Sequence, residues 1–152
     1  MRRVLSIQQQ DFDVARLQQE LVAEEPEMGA VVSFTGYVRG RSGDREVSSM
    51  ELEHYPGMTE RSIEGIIDQA AARWPLLGVT VVHRVGVLTP GSRIVYVGVG
   101  SSHRGSAFAA AEYIMDFLKT GAPFWKKETG PTGACWVEAR NSDETAARRW
   151  RD

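Results

Sequence analysis

Between Thr59 and Pro75 the chain is strongly amphipathic, and this segment limits the folds that are open to it. Its apolar residues recur at i, i+3, i+4, i+7, i+8 and i+11, namely Ile63, Ile66, Ile67, Ala70, Ala71 and Trp74. That spacing places them on one side of an α-helix, with Thr59 as the predicted N-cap and Pro75 as the end. Because such a helix must bury its apolar side, a second layer is required.

The second layer is predicted to be a largely antiparallel sheet. Two β-prone runs, Val79–Val85 and Arg93–Val99, flank the turn signature Thr89–Ser92 and should pair as an antiparallel hairpin or lie as near neighbours. Further strands are predicted at Arg3–Ile7, Gly29–Val38 (buried), Val47–Tyr55 (half exposed), Phe124–Glu128 and Cys135–Arg140. Further helices are predicted after Asp13, after Ser101–Ser102 with Ala107, Phe108, Ala111, Ile114, Met115 and Leu118 inward, and after Asn141. Strict βαβ alternation is missing, which favours an α+β fold, and a length of 152 residues predicts a single domain over residues 1–152.

Charge and cysteine usage exclude several classes of function. The net charge of −2 provides no global attraction to nucleic acid or to a membrane surface. The single cysteine, Cys135, excludes an internal disulfide. The chain has no apolar run of about 20 residues and no signal-peptide pattern, so a cytoplasmic protein is predicted. Local basic clusters in a nearly neutral chain favour a small anionic ligand.

Three stretches carry candidate chemistry, each with an ordinary structural alternative. His103 and Arg104 follow Ser102 at a predicted helix start, where free N–H groups favour phosphate or carboxylate, although Ser102 could simply cap the helix. Arg39 ends the run Tyr37–Arg39 and is either a ligand contact or a solvated loop residue. No spacing typical of metal ligands is present, so we predict no metal site.

Two lysines form the third candidate. Lys119 lies in the last turn of a predicted helix, where a cation also suits the helix dipole. Lys126 lies on a strand next to Trp125 and is either a lysine that extends to solvent or a partly buried base. Alternation puts Lys126 and Glu128 on one face of the strand and Trp125 and Lys127 on the other.

These segments together resemble the large, catalytic subunit of molybdopterin synthase. The resemblance runs from about Gly29 to Trp150 in the order and spacing of that family. The matching stretches are Gly29–Arg39, Leu52–Met58, Ser101–Phe108, Leu118–Lys119, Pro123–Glu128 and Trp136–Arg140. Residues 1–28 match only loosely, and the role of the Arg41–Arg45 loop stays open.

The resemblance implies a fold and an activity. The fold is of the α/β-hammerhead type, and the activity is sulfur transfer from the C-terminal Gly-Gly thiocarboxylate of a small ubiquitin-like partner. The acceptor is a cyclic pyranopterin monophosphate, which becomes the dithiolene of molybdopterin. Family members are homodimers that carry a small subunit at each end, so the whole assembly is a heterotetramer. They need no cofactor.

The resemblance also implies roles for individual residues. Lys119 and Lys126 would be catalytic, and Phe34, Met115 and Trp125 would line the pocket. Contacts to the substrate would come from Tyr37, Val38, Arg39, His103, Arg104, Lys127, Glu128 and Arg140. Arg140 is expected to reach the site of the other subunit, with an intramolecular carboxylate pair as the alternative.

A different class of function stays open from the sequence. A non-catalytic scaffold that binds a ubiquitin-like tail would have the same docking groove. It would have no reason to place Lys119 and Lys126 in one pocket, so these two residues discriminate between the hypotheses.

Overall fold

A computed structural model describes residues 1–137 and 141–151 of the chain. This part contains four helices: α1 (Val14–Val22), α2 (Met58–Arg73), α3 (Arg104–Thr120) and α4 (Asn141–Arg148). Its ten strands are β1 (Arg2–Gln8), β2 (Ala30–Tyr37), β3 (Arg41–Ser42), β4 (Arg45–Glu46), β5 (Ser49–His54), β6 (Gly78–Arg84), β7 (Gly86–Leu88), β8 (Arg93–Ser101), β9 (Phe124–Gly130) and β10 (Gly133–Val137). The predicted α+β class is confirmed.

The first sheet has the strand order β1-β6-β8-β2 and holds the main core. Only β1 and β6 pair in parallel, and the predicted antiparallel pairing of β6 with β8 is confirmed. Helices α2 and α3 bury their apolar sides on one face, against valines of β6 and β8. Helix α1 packs on the other face, where Val82 and Tyr96 meet Phe12. The first sheet is therefore covered on both faces.

The second sheet has the strand order β10-β9-β5-β7 and encloses a smaller core. Met50 and Leu52 of β5 are buried here with Val38 and Leu88, as the alternation of the predicted half-exposed strand requires. Strand β7 follows β6 after Val85 and pairs with β5, so one continuous stretch of chain contributes to both sheets. The sequence analysis did not separate β7 from the turn before β8.

Segment Arg39–Arg45, expected to be a loop from the sequence, instead forms β3 and the start of β4, which pair as a two-stranded hairpin. Arg45 on this hairpin pairs with the carboxylate of Glu128 and also contacts Cys135. The hairpin is thus fastened to the second sheet by an ion pair.

Three details of the predicted elements were wrong. Helix α2 is capped at Gly57, whose φ of 87° suits glycine, while Thr59 is buried and donates to the carbonyl of Pro123. Phe108 is 62% exposed rather than inward. Strand β2 is half exposed, with Phe34 and Tyr37 open to solvent, because it forms the edge of the first sheet and has a neighbouring strand on one side only.

No helix in the described part of the chain is long and apolar enough to cross a membrane.

Candidate active site

A cleft of about 80 Å³ opens where the edge of the first sheet, helix α3 and strand β9 meet. Its walls come from five elements, so it forms only when both sheets are assembled. The lining residues are Phe34, Gly36 and Tyr37 of β2, His83 of β6, Ile94 and Val95 of β8, Met115, Leu118 and Lys119 of α3, and Lys126 of β9. Phe34, Met115 and both lysines were predicted for this pocket.

The two lysines meet because the chain reverses between them. Lys119 lies in the last turn of α3, which is capped at Gly121, and β9 begins at Phe124. Alternation along β9 then turns Lys126 toward the cleft. Lys119 therefore lies both at the negative end of the helix dipole and in the wall of the cleft, so an interaction with the dipole and a role in the cleft are compatible.

Lys126 differs chemically from an ordinary surface lysine. Burial lowers its pKa to about 8, and charge repulsion and a side-chain hydrogen bond from Lys119 act in the same direction. The carboxylates of Asp143 and Glu128 oppose this effect but are weaker. A lysine with a pKa near 8 holds a useful fraction of neutral amine at physiological pH and can accept and return a proton.

A β-bulge aims neighbouring residues of two strands at the cleft. The register of β2 against β8 pairs Gly36 with Val95 and Tyr37 with Arg93, which leaves Ile94 as an extra residue. Consecutive side chains of a regular strand point to opposite faces. At this bulge Ile94 and Val95 both line the cleft, and so do Gly36 and Tyr37.

His83 is a residue of the cleft that the sequence analysis missed. Nothing in the sequence next to it marks it as a site residue, and it lies on β6 in register with Val95. Its ring stacks on Phe124 with centroids 3.9 Å apart, and its Nδ1 lies 2.8 Å from the carbonyl oxygen of Arg84. Burial lowers the pKa of His83 to about 4, so the ring is neutral at physiological pH.

Seven residues predicted for the site do not line the cleft, and four of these belong to the second sheet or its core. Val38 is buried in the second core, and both its backbone groups bond to the turn at Gly91 and Ser92. Trp125 and Lys127 lie on the opposite face of β9 from Lys126, and Lys127 instead lies 5.8 Å from the ring centroid of Trp136.

Glu128 is the fourth of these residues. It shares the Lys126 face of β9 but is buried in its ion pair with Arg45. Its carboxylate is therefore engaged within the chain and is not open to a substrate.

The predicted anion-binding residues lie elsewhere on the chain. His103 is the N-cap of α3 and Arg104 its first residue, both exposed, and no side chain caps this helix start. Lys119 lies fifteen residues further along the same helix, about 22 Å away at 1.5 Å per residue. Within one chain the helix start therefore cannot join the lysine site. Arg39 is exposed just beyond β2, two residues after Tyr37.

Two further predictions concern Arg140 and metals. Arg140 lies outside the described residues. Among the residues that are described, no three His, Cys, Asp or Glu side chains cluster closely enough to hold a metal ion. The lining of the cleft provides amines, an imidazole, a phenol and apolar groups, which suits proton transfer more than metal binding.

Known proteins match the chain over most of its length. A family described as "MoaE protein" matches residues 7–121. The chain is 58% identical over 129 residues to a protein of Escherichia coli named "Molybdopterin synthase catalytic subunit". The aligned residues cover 85% of this chain and 86% of that protein.

Solved structures share the fold. A molybdopterin biosynthesis MoaE protein from Burkholderia ambifaria superposes with a TM-score of 0.84 at 50% identity, covering 99% of this chain and 98% of that one. A molybdopterin synthase from Staphylococcus aureus gives a TM-score of 0.79 at 32% identity, covering 86% and 94%.

Proposed function

The chain belongs to the MoaE protein family, and we propose that it transfers sulfur as the catalytic subunit of a molybdopterin synthase in molybdenum cofactor biosynthesis. The sulfur arrives as the C-terminal thiocarboxylate of a small ubiquitin-like partner. The acceptor is a cyclic pyranopterin monophosphate, and the product carries the dithiolene of molybdopterin.

The observation that carries this proposal is the lysine pair in the cleft. Adding sulfur to the acceptor and removing oxygen from it both require proton transfers. Lys126, with a pKa of about 8, is suited to act first as base and then as acid, and Lys119 lies beside it. A scaffold that only bound a tail would gain nothing from two adjacent amines, whose charges repel each other.

The chain's own cysteine is not placed to relay sulfur. Cys135 is the single cysteine of the sequence, and it lies on β10 in contact with Arg45 rather than in the lining of the cleft. A sulfur carrier from outside the chain is therefore required, which fits the thiocarboxylate of a separate small subunit.

The size of the cleft favours a site shared between two copies of the chain. Pockets that enclose a small organic ligand measure about 300–1,000 Å³, whereas this cleft measures about 80 Å³. It has room only for the end of a narrow tail or the reacting edge of the acceptor, so the phosphate would lie outside it. A second copy would place His103 and Arg104 from its own helix start near that phosphate, in a cytoplasmic homodimer with one small subunit at each end.

Reconstitution tests the function directly. The purified chain is incubated with the pterin precursor and with the partner bearing either a thiocarboxylate or an ordinary carboxylate C-terminus. The dithiolene product should form only with the thiocarboxylate, and two partner molecules should be consumed per product. A chain that binds the thiocarboxylated partner and the precursor but forms no product would contradict the proposal and support the scaffold.

A further inference from the structure

His83 occupies a position in the cleft that its packing fixes on two sides. One ring face stacks on Phe124, and Nδ1 lies 2.8 Å from the carbonyl oxygen of Arg84. The residue is only 8% exposed. A buried ring held by a stack and a hydrogen bond has one orientation, so the edge that it presents to the cleft is determined.

The hydrogen bond to Arg84 also determines which ring nitrogen carries the proton. A carbonyl oxygen accepts and never donates, so Nδ1 must be the donor. In a neutral imidazole the other nitrogen, Nε2, then bears a lone pair and accepts. With Nδ1 occupied by the backbone, Nε2 is the polar atom that His83 can offer to the cleft.

The surroundings of His83 are cationic. Lys126 of β9 and Lys119 of α3 both lower its pKa, and His54 of β5 does so to a smaller extent. The remaining polar side chain of the lining is Tyr37 of β2, and no residue of the lining carries a carboxylate. The lining of the cleft thus offers the two amines the neutral imidazole of His83 and no carboxylate.

An uncharged acceptor has a specific advantage here. A carboxylate hydrogen-bonded to Lys126 would stabilise the ammonium form and raise the pKa of the lysine, whereas Glu128, the buried carboxylate on the same face of β9, is paired with Arg45. A neutral imidazole can fix the direction of the amino group at a much smaller electrostatic cost. Position and acidity of the amine are then set by different residues.

We propose that His83 is a positioning residue of the active site, which accepts a hydrogen bond through Nε2 from the amino group of Lys126 and so orients that amine toward the acceptor substrate. This assignment rests on the proposed function. It leaves Lys126 as the group that moves the proton.

Two substitutions separate this role from a structural one. In His83→Asn the amide nitrogen replaces Nδ1 and keeps the bond to Arg84 but provides no acceptor at the position of Nε2. In His83→Gln the amide oxygen reaches the position of Nε2 and keeps the acceptor. If His83 only supports the fold, His83→Asn should preserve wild-type behaviour better. If His83 positions Lys126, His83→Gln should preserve it better.

The first measurement needs no substrate. The chain has only three lysines, Lys119, Lys126 and Lys127, so selective ¹³C labelling of lysine gives three side-chain signals to follow by NMR against pH. Losing an acceptor destabilises the ammonium form, so His83→Asn should lower the pKa of Lys126 by about half a pH unit, while His83→Gln should leave it near the wild-type value.

The second measurement is turnover of the assembled enzyme. We expect His83→Asn to lower kcat about five- to tenfold with KM nearly unchanged, and His83→Gln to stay within about twofold of wild type. A wild-type pKa of Lys126 in both variants, equal losses of kcat in both, or a greater loss in Gln than in Asn would overturn the proposal. If His83→Gln does not fold, a wild-type pKa of Lys126 in His83→Asn is by itself enough to overturn the proposal. Because the NMR titration uses no substrate, it tests the role of His83 independently of the proposed function, and failure of one can be told from failure of the other.

Discussion

Replacing Lys119 with methionine should change the acidity of its neighbour Lys126. Methionine keeps the length and apolar stem of the side chain, so the packing at the end of α3 changes little, while the positive charge in the cleft disappears. Charge repulsion and the hydrogen bond from Lys119 both lower the pKa of Lys126, which is about 8 in the wild-type chain. Removing them should raise it.

The size of this change can be bounded. A unit charge at 4 Å is worth about 1 kcal/mol even in bulk water, which corresponds to about 0.7 of a pH unit. The full depression runs from 10.5 to about 8, and burial, which the substitution leaves in place, is its largest cause. We therefore expect the pKa of Lys126 to rise by about one pH unit, and at pH 7.5 the neutral fraction of this amine to fall about eightfold.

The assay is the same lysine-selective NMR titration, with Lys119→Arg as the matched control. Arginine keeps the charge, so Lys126 should titrate near its wild-type pKa in that variant. Titration of Lys126 at the same pH in the methionine variant and in wild type would refute the expected effect of the Lys119 charge. That effect would also be refuted if arginine and methionine raised the pKa equally.

Four further predictions use other parts of the molecule. Arg104→Ala should raise KM for the pterin precursor about ten- to a hundredfold, since one charge-assisted contact to phosphate is lost; unchanged KM would show that this residue is only the first of its helix. Cys135→Ser should leave sulfur transfer within about twofold, and loss of turnover in a folded variant would mean that this thiol carries sulfur. Ile114→Ala, at a fully buried site of α3, should lower the free energy of unfolding in urea by about 2–5 kcal/mol, whereas Val87→Ala, at a site 69% exposed, should change it by less than about 0.5 kcal/mol. Finally, the pKa of His83 is about 4 in the folded chain and 6.5 ordinarily, so the neutral ring favours folding fully above pH 6.5. As the pH falls from 6.5 toward 4, the free energy of unfolding should drop by up to about 3 kcal/mol on account of this residue. The same pH dependence of unfolding in His83→Gln and in wild type would contradict this.

Local patterns in the sequence were sufficient to predict the main elements of the fold. The apolar spacing of α2 follows from its burial on one side, and the turn at Thr89–Ser92 is confirmed by the bond from the Ser92 N–H to the Thr89 carbonyl. Strand β7 was missed because three residues are too few to show a period. The helix start at Gly57 was missed because glycine has no side-chain oxygen that marks an N-cap in the sequence, while the Gly57 N–H donates to the carboxylate of Glu60.

The site was predictable only in part. Lys119 and Lys126 stand on either side of a Gly-Ala-Pro turn, so their approach to one another can be read from local sequence and from the family resemblance. His83 joins them through the pairing of β6 with β8, a long-range contact that leaves no local mark. Ile94 and Tyr37 reach the cleft through a register shift, which likewise depends on how two distant segments pair. The length of α3 separates Arg104 from the lysines, so the two cannot share one site within a chain. This separation was not recognised from the sequence.

Catalysis in the cleft is tested most directly by comparing product formation by Lys126→Ala and by Lys127→Ala, each in the complex with the thiocarboxylated partner. These neighbours carry the same side chain on opposite faces of β9, so loss of net charge is matched and only the position differs. General acid–base catalysis contributes about 10²–10⁴-fold, and we therefore predict that dithiolene formation falls at least a hundredfold in Lys126→Ala and stays within about threefold in Lys127→Ala. Comparable rates in the two variants would contradict the assignment of catalysis to the cleft.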